Sequence, residues 1–281
     1  MALVELQMTN AGDIPVRDAA TVIVVRDCAT GPEVCMLRRN LKSDFVGGAY
    51  VFPGGGVDPQ DAYDDLAPYV MGRTAESADR EMEVDSGGLA FWVAAIRESF
   101  EEAGLLFAYD EPGLLVDLAH PLLTERYRRH RSDVDSGRRR LVEICGEESL
   151  RLAVDHIHTF SRWITPLGAP RRYDTRFFVA EAPSGQEAIH DDREVIATVW
   201  ITPEEALARH ERGEFELIFP TIRTLESLRV FSTAGEIIDH AAHIGRIPAT
   251  LPRIVERDGG LRIVLPGDLE FDAITARPLE P

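Results

Sequence analysis

Cysteine is scarce in this sequence, and long apolar runs are missing from it. Cys28, Cys35 and Cys145 are odd in number and form no C-x-x-C pair, which argues against a disulfide framework and against a thiolate zinc site. We expect them to be core thiols in a reducing compartment. No stretch approaches the ~18 apolar residues of a membrane span, and no basic region is followed by an apolar leader. We therefore expect a cytoplasmic protein with no membrane partner.

Positive charge is also in short supply. The chain has 30 lysine and arginine residues against 48 aspartate and glutamate residues, which gives a formal net charge of −18. Such a field repels nucleic acid, so we expect no nucleic-acid partner. If the substrate carries phosphate, bound cations and local arginines must supply the attraction.

Short apolar runs separated by turns predict a mixed α+β fold rather than regular βαβ units. Three strands are predicted before the glycine run 54–56, which ends regular structure and allows a close backbone approach. The acidic segment 59–88 has little hydrophobic periodicity and is expected to be a surface insertion. The later predicted elements are strands at 159–164, 176–180 and 195–201, helices at 120–153, from Pro203 and over 217–243, and a hairpin at 254–265.

The clearest predicted helix runs over residues 93–104. Val93, Ile96, Phe100 and Ala103 recur at helical spacing, and the glycine at the end of this range is a typical C-terminal stop. The apolar side of this helix is therefore expected to face the core.

Three carboxylates share the other side of this helix. Glu98, Glu101 and Glu102 stand at i, i+3 and i+4, so at ~100° per residue they project together and repel one another unless a cation neutralises them. Mg²⁺ or Mn²⁺ is the expected partner, because these ions take oxygen ligands and bridge carboxylates to a diphosphate. Arg97 is expected to pair with Glu101 and hold its rotamer. Taken alone, an acidic helix face is more often only solvated.

The residues on either side of the acidic segment resemble a family motif. Residues 97–105, Arg-Glu-Ser-Phe-Glu-Glu-Ala-Gly-Leu, resemble the second half of the Nudix box, R-E-U-x-E-E-x-G-U, with Ser99 at a usually apolar position. Residues 53–61 resemble the loop G-x5-E that opens the box, with Gly55 as the glycine and Asp61 in place of glutamate. The chain thus resembles a Nudix hydrolase whose box carries an insertion over residues 62–90.

This resemblance implies a fold and a reaction. The expected fold is a Nudix α/β/α sandwich around a mixed central sheet, with a Nudix domain over residues 1–210 and a helical C-terminal extension over 211–281 packed on it. The expected reaction is metal-dependent hydrolysis of a diphosphate linkage. The insertion at the entrance of the helix is expected to bulge into solvent beside the site without moving the carboxylates.

The resemblance also implies roles for individual residues. The expected metal ligands are Glu98, Glu101 and Glu102. The base that activates the attacking water is Glu98 or, as in some family members, a glutamate in a later loop, here Glu194. Arg97 is expected to assist catalysis by positioning a ligand.

Residues near the glycine run 54–56, called the glycine loop below, indicate which diphosphate is cleaved. Residues 48–55 resemble the G-x3-F-P-G-G end of the motif of coenzyme A diphosphatases, which implies that Gly54 and Gly55 bind substrate. The upstream arginine of that motif falls on Asp44, but the neighbouring stretch 37–39 is basic, and Arg38 is the expected contact there.

A second resemblance is to the animal peroxisomal Nudix subgroup that hydrolyses coenzyme A esters. That subgroup also has an insertion in the box, a later W-x-T-P and an F-D-T-x-F-F run, which are similar to residues 163–166 and 171–178. Arg171 and Arg172 are expected to bind phosphate and Tyr173 to stack on a base. A hairpin with ordinary surface arginines is the alternative.

The expected partner is thus a small nucleoside diphosphate derivative of the coenzyme A type, cleaved to 3′,5′-ADP and a phosphopantetheine product. Two alternatives stay open: a pyrophosphatase of ADP-ribose, NADH or another dinucleotide, and a non-catalytic ligand-sensing Nudix domain. The three intact glutamates favour an enzyme. The insertion could also form a homodimer contact.

Overall fold

The computed structural model describes residues 14–41, 47–111, 113–257, 260–268 and 271. Within these residues, the strands in chain order are β1 (Val16–Cys28), β2 (Gly31–Arg39), β3 (Tyr50–Val51), β4 (Gly54–Gly56), β5 (Val70–Met71), β6 (Ala108–Glu111), β7 (Leu114–Leu115), β8 (Arg151–Ala153), β9 (His158–Ile164), β10 (Arg172–Glu181), β11 (Val195–Ile201), β12 (Arg253–Arg257) and β13 (Gly260–Val264). The helices are α1 (Ala75–Met82), α2 (Leu89–Glu98), α3 (Pro121–Asp135), α4 (Leu141–Glu148), α5 (Pro203–Glu211), α6 (Phe219–Leu228) and α7 (Ala234–His243).

The main sheet has the strand order β11-β2-β1-β10-β9, with β3 beside β2 and β4 beside β1. β1 and β10 are parallel, whereas the other neighbours in this sheet are antiparallel, so the sheet is mixed, as predicted. The apolar run of β1 is continuous because this strand is buried on both faces. Val22 and Val24 pack on the α2 side, while Ile23 and Val25 pack against α6 and α7.

Helices cover both faces of the main sheet, which confirms the predicted α/β/α layers. Phe91, Trp92 and Ile96 of α2 belong to the core on one face. Leu225 of α6 and Ile237 of α7 belong to the core on the other face. Residues 219–243 therefore form part of an outer layer of the sandwich, whereas the boundary at residue 211 stays a prediction.

The acidic segment is not the detached surface excursion that its composition suggested. Leu66, Ala78 and Met82 are buried in the same core as α2. In addition, β5 pairs with β8 in a second, four-stranded sheet of order β5-β8-β6-β7. The expectation of a solvent bulge is thus wrong for these residues, because a few well-spaced apolar side chains suffice to anchor a mostly charged segment.

Three further features of the structure concern the cysteines, the helices and the C-terminal hairpin. Cys35 and Cys145 are buried free thiols, as predicted, but Cys28 is only half-buried, at the end of β1. No helix in the described ranges is both long and apolar enough to cross a membrane. The predicted C-terminal hairpin is present as β12 and β13, while its turn at residues 258–259 lies outside the described residues.

Candidate active site

The three helix glutamates lie where α2 changes from α-helical to π-helical geometry. The α-helix ends at Glu98, and a π-helical turn spans Ser99–Ala103 before Gly104 ends it with φ 72°. This wider turn differs from the regular helix that the periodicity predicted. Single π turns inside helices are frequent at functional sites, and here the turn carries Glu101 and Glu102.

Arg97 donates hydrogen bonds to three acidic side chains of the site and holds them in place. It is only 4% exposed. Its NH1 donates to Glu98 Oε1 at 2.8 Å and to Glu101 Oε2 at 3.0 Å. Its NH2 donates to the carbonyl of Gly56 at 2.8 Å and to Asp61 Oδ2 at 3.0 Å, and its Nε donates to Asp61 Oδ1 at 2.9 Å. All five donors of the guanidinium can thus be engaged.

Asp61 is the acidic residue that closes the loop half of the motif. Its bidentate bond with Arg97 is joined by a hydrogen bond from the backbone N–H of Asp58 at 2.8 Å. The insertion begins immediately after Asp61, so the 35 residues that separate it from Arg97 do not prevent contact. No site role was predicted for Asp61, although its place in the G-x5-E pattern was a signal for one.

The glycine run 54–56, which was predicted to end regular structure, forms strand β4 beside β1 and lies against the carboxylates. We keep the name glycine loop for it. The N–H of Gly54 donates to Glu102 Oε2 at 2.9 Å. A Cβ added to Gly55 would lie 2.4 Å from Glu98 Oε1, well inside van der Waals contact, so only glycine allows this approach. The structure therefore brings the predicted Gly54 and Gly55 together with Glu98 and Glu102.

Burial raises the pKa of all three helix glutamates, because it disfavours their charged form. Burial raises the pKa of Glu101 to about 7 against the opposing charge of Arg97. Burial and then the charge of Glu98 raise the pKa of Glu102 well above its ordinary value. Burial likewise raises the pKa of Glu98, which Arg97 opposes. One arginine thus faces several carboxylates. The site therefore has an excess of negative charge that a divalent cation would balance.

Glu194 and Arg39 lie close enough to the cluster to influence it. The charge of Glu194 adds to the increase in the pKa of Glu98 and Glu102, and the charge of Arg39 lowers the pKa of Glu102. Glu194 is exposed on the loop that precedes β11, where its carbonyl accepts a hydrogen bond from the N–H of Asn40 at 2.8 Å. The loop therefore presents Glu194 to the rim of the site.

Arg38 lies on the face of the main sheet opposite to α2, so the structure does not bring it to the carboxylates, and its contact with substrate stays a prediction. In β2, Cys35 and Leu37 pack on the α2 side, and Val34 and Met36 pack on the opposite side. Because side chains alternate along a strand, Arg38 shares the opposite side, where its guanidinium lies over the ring of Tyr50 at 5.7 Å.

The same alternation places Arg39 on the side of α2. The sequence prediction named Arg38 and not Arg39, although Arg39 is the one whose charge acts on Glu102. Cys35 and Leu37 face α2, so strand alternation also places the side chain of Arg39 on that side.

The structure does not bring Arg171, Arg172 and Tyr173 to the carboxylates. They lie at the start of β10, where Arg172 is opposite Val16 of β1. Gly55 is opposite Ala20 of β1. Val16 and Ala20 are four residues apart, which is a distance of about 13 Å along the strand. Arg172 Nε donates to the carbonyl of Thr165 at 3.1 Å, so this arginine also supports the turn between β9 and β10.

A second group of potential metal ligands occurs among the described residues. His130, Glu147 and Glu148 bring one ligating atom each within 4.8 Å of one another, which the three helix glutamates do not. However, Arg139 pairs with Glu147 at 2.6 Å, and Arg126 pairs with Glu148 at 3.2 Å. These arginines already neutralise the second group. The helix glutamates are the better fit for Mg²⁺ or Mn²⁺, because more negative charge is buried there than Arg97 balances.

Comparisons with known proteins agree with this geometry. A family model described as the NUDT19 Nudix domain matches residues 68–228. The chain is 26% identical over 269 residues to the acyl-coenzyme A diphosphatase NUDT19 of Xenopus laevis, covering 84% of this chain and 70% of that protein. It is 28% identical over 278 residues to the human protein of the same name, covering 85% and 72%.

One solved structure is similar over most of the chain. The crystal structure of a NUDIX hydrolase from Alicyclobacillus acidocaldarius superimposes with a TM-score of 0.66 and 27% sequence identity. The match covers 81% of this chain and 97% of that one. This similarity supports the Nudix fold of the chain.

Proposed function

The chain belongs to the NUDT19 Nudix domain family, and from this premise we propose that it hydrolyses the diphosphate linkage of coenzyme A or acyl-coenzyme A. It is a Nudix hydrolase with the predicted Nudix fold, an enzyme that acts on phosphorus-containing acid anhydrides. The observation that carries the proposal is the buried carboxylate cluster clasped by Arg97 and the glycine loop. The names of its relatives support the coenzyme A substrate.

We assign the metal to Glu98, Glu101 and Glu102. A bound Mg²⁺ or Mn²⁺ would offset their mutual repulsion, attract the diphosphate and make a water molecule more acidic. The chain itself contributes Arg97, which fixes the side chains of Glu98 and Glu101, and the N–H of Gly54, which fixes Glu102. Such fixed ligands need little reorganisation when substrate binds.

We assign the proton acceptor to Glu194, with Glu98 as the alternative. Glu194 is exposed, whereas Glu98 is held by Arg97 and lies against Gly55. An exposed carboxylate at the rim of the site can accept the proton of the attacking water and release it to solvent. The water oxygen bonds to one phosphorus, the bridging oxygen leaves with the other phosphate, and two phosphomonoesters result.

The substrate is held by local positive charge, because the whole chain is strongly anionic. Arg39 lies on the α2 side of β2 and is better placed than Arg38 to bind a phosphate group there. Arg171, Arg172 and Tyr173 lie further along the sheet, at a distance that suits the remote end of an extended coenzyme A molecule rather than its diphosphate.

A substrate panel tests this proposal. The purified protein is incubated with Mg²⁺ or Mn²⁺ and with coenzyme A, several acyl esters of it, ADP-ribose, NADH and dinucleoside polyphosphates, and the products are separated by ion-exchange chromatography. We expect coenzyme A compounds to have the highest kcat/KM and to yield 3′,5′-ADP. A higher kcat/KM with ADP-ribose or NADH would overturn the substrate assignment. Hydrolysis of no compound would support a ligand-sensing domain instead.

A further inference from the structure

One arginine of the basic helix α3 differs from its neighbours. The other arginines in and after this helix form surface ion pairs, namely Arg126 with Glu148, Arg128 and Arg129 with Glu125, Arg138 with Asp133, Arg139 with Glu147, and Arg140 with Asp65. Arg131 is instead directed inward, and its Nε donates to the backbone carbonyl of Glu101 at 2.8 Å. Arg131 thus differs from these solvated arginines because it contacts another helix.

The bond from Arg131 acts on the part of the catalytic helix that carries two metal ligands. The last carbonyls of a helix lack partners within it, and a cation beside them is favourable. The carbonyl of Glu101 belongs to the π-helical turn Ser99–Ala103. A hydrogen bond to it restrains the backbone from which the side chains of Glu101 and Glu102 project.

The loop that leads to Glu194 meets the same helix end. The N–H of Ile189 donates to the carbonyl of Ala103 at 2.8 Å. Gly104 lies between the two anchors, because a Cβ added there would lie 3.1 Å from Arg131 NH1 and 3.7 Å from the carbonyl oxygen of Ile189. The guanidinium of Arg131 is therefore in contact with the junction of helix and loop.

Asp191, in the loop that precedes β11, interacts both with Arg131 and with the backbone of Glu194. The carboxylate of Asp191 accepts hydrogen bonds from the backbone N–H groups of Glu194 at 3.1 Å and Val195 at 3.0 Å, so it fixes the start of β11. Asp191 and Asp135 both attract the charge of Arg131. Asp135, in the last turn of α3, also pairs with Arg193, the residue before Glu194. The α3 end, the loop and the helix end form one connected network.

From these contacts we propose that Arg131 is a positioning residue, which sets the separation between the ligand pair Glu101 and Glu102 on one side and Glu194 on the other. This inference rests on the proposed function. In the described part of the chain, Arg131 donates its hydrogen bond to a backbone carbonyl rather than to a ligand side chain, although its charge also attracts that of Glu102. Arg131 acts through the carbonyl of Glu101 and through the Asp191 loop.

Three variants test the role of Arg131. Arg131→Met removes the donors and the charge but keeps an unbranched side chain. Arg131→Lys keeps the charge and one donor group. Arg128→Met is the matched control, because Arg128 lies on the same helix and pairs only with Glu125 in the described part of the chain. Mn²⁺ binding is followed by electron paramagnetic resonance of free Mn²⁺, alongside kcat, KM and thermal unfolding.

We expect Arg131→Met to bind Mn²⁺ about tenfold more weakly and to lose about 10²-fold in kcat, as is usual when a partner of a metal ligand is lost. KM should change less than threefold. Arg131→Lys should recover part of both losses, and Arg128→Met should match the unaltered protein. All assays are run at a temperature at which circular dichroism shows each variant folded.

The inference is overturned if Arg131→Met binds Mn²⁺ and turns over substrate as Arg128→Met does. It is also overturned if a folded Arg131→Lys is no better than Arg131→Met. Failure of the proposed function has a different signature, since the unaltered protein would then hydrolyse none of the coenzyme A compounds. The Mn²⁺ measurement would still report on Arg131 in that case.

Discussion

Ser99 occupies a position of the Nudix box that is usually apolar, and its hydroxyl is fully buried. Among the described residues this hydroxyl has no hydrogen-bond partner. A buried hydroxyl without a partner costs about 1–3 kcal/mol. We therefore expect Ser99→Ala to increase the free energy of unfolding by about 1 kcal/mol in urea denaturation, with little change in turnover.

The control for this substitution is Ser77→Ala in α1. The Ser77 hydroxyl donates to the carbonyl of Thr74 at 2.9 Å and accepts from the N–H of Thr74 at 3.0 Å. Its removal should decrease stability. If Ser99→Ala decreases stability as Ser77→Ala does, the hydroxyl of Ser99 is satisfied and its assignment as unpaired is wrong.

Asp174 shows how a residue of the F-D-T-x-F-F run serves the fold. Its carboxylate accepts hydrogen bonds from Arg162 at 3.0 and 2.7 Å and pairs with Arg176 at 2.7 Å. Burial alone would raise its pKa, but these arginines outweigh burial and hold the pKa below its ordinary value. We expect Asp174→Asn to lose about 2 kcal/mol of stability at pH 7, since it weakens charge-assisted hydrogen bonds.

The pH dependence of that loss has a definite sign. A carboxylate whose folded pKa is depressed contributes stability above its unfolded pKa, near ~3.9, and loses it as pH falls through the folded value. The difference in unfolding free energy between the unaltered protein and Asp174→Asn should be constant near neutral pH and shrink below about pH 4. A difference that grows on acidification would contradict the ion-pair assignment.

The glycine loop and the catalytic helix work as paired elements, and neighbouring glycines allow a direct test of their contact. A Cβ at Gly55 would collide with the carboxylate of Glu98, whereas a Cβ at Gly56 meets nothing within 4 Å. Neither glycine has a positive φ. We expect Gly55→Ala to lower kcat at least tenfold by displacing Glu98 and Gly56→Ala to leave it within about twofold. Equal activities of the two variants would show that the loop does not restrain Glu98.

At the level of elements, local patterns predicted what depends on local sequence. The helix from residue 93, the helices over 120–153 and the strands 159–164 and 195–201 were all predicted, because periodicity and turn residues record which face is buried. The π-helical turn was not, since its carbonyls are held by Arg131 and Ile189, which come from distant parts of the chain.

The acidic insertion was misjudged for a different physical reason. α1 has only eight residues, and Ala78 and Met82 are its buried positions. Two anchors one turn apart leave no periodicity that a sequence can show, yet they suffice to bind a short amphipathic helix to a core that other elements have built. The same limit applies to β5, which has two residues.

At the scale of the whole molecule, the sandwich could be predicted because both halves of the Nudix box kept their order and residue types. The structure brings the predicted carboxylates and glycines together, but it places the predicted Arg38, Arg171 and Arg172 away from them. The inward orientation of Arg39 follows from the alternation of side chains along β2, and that of Arg131 follows from the packing of α3 against the end of α2. The charge pattern of the sequence reveals neither orientation. A net charge of −18 makes these few inward arginines important for an anionic substrate.

The substitution Glu102→Gln tests the central claim most directly, because it removes one charge from the cluster and preserves side-chain size. Glu102 is 5% exposed, and a glutamine oxygen can still accept the hydrogen bond of Gly54. Turnover of coenzyme A compounds is measured over a range of Mg²⁺ concentrations, with Glu125→Gln on the surface of α3 as the control. We expect kcat to fall by ~10²-fold or more, a loss of at least ~2.7 kcal/mol of transition-state stabilisation. Thermal stability without metal should hold or rise. Normal turnover with normal Mg²⁺ dependence in Glu102→Gln would contradict the assignment of this cluster as the metal site.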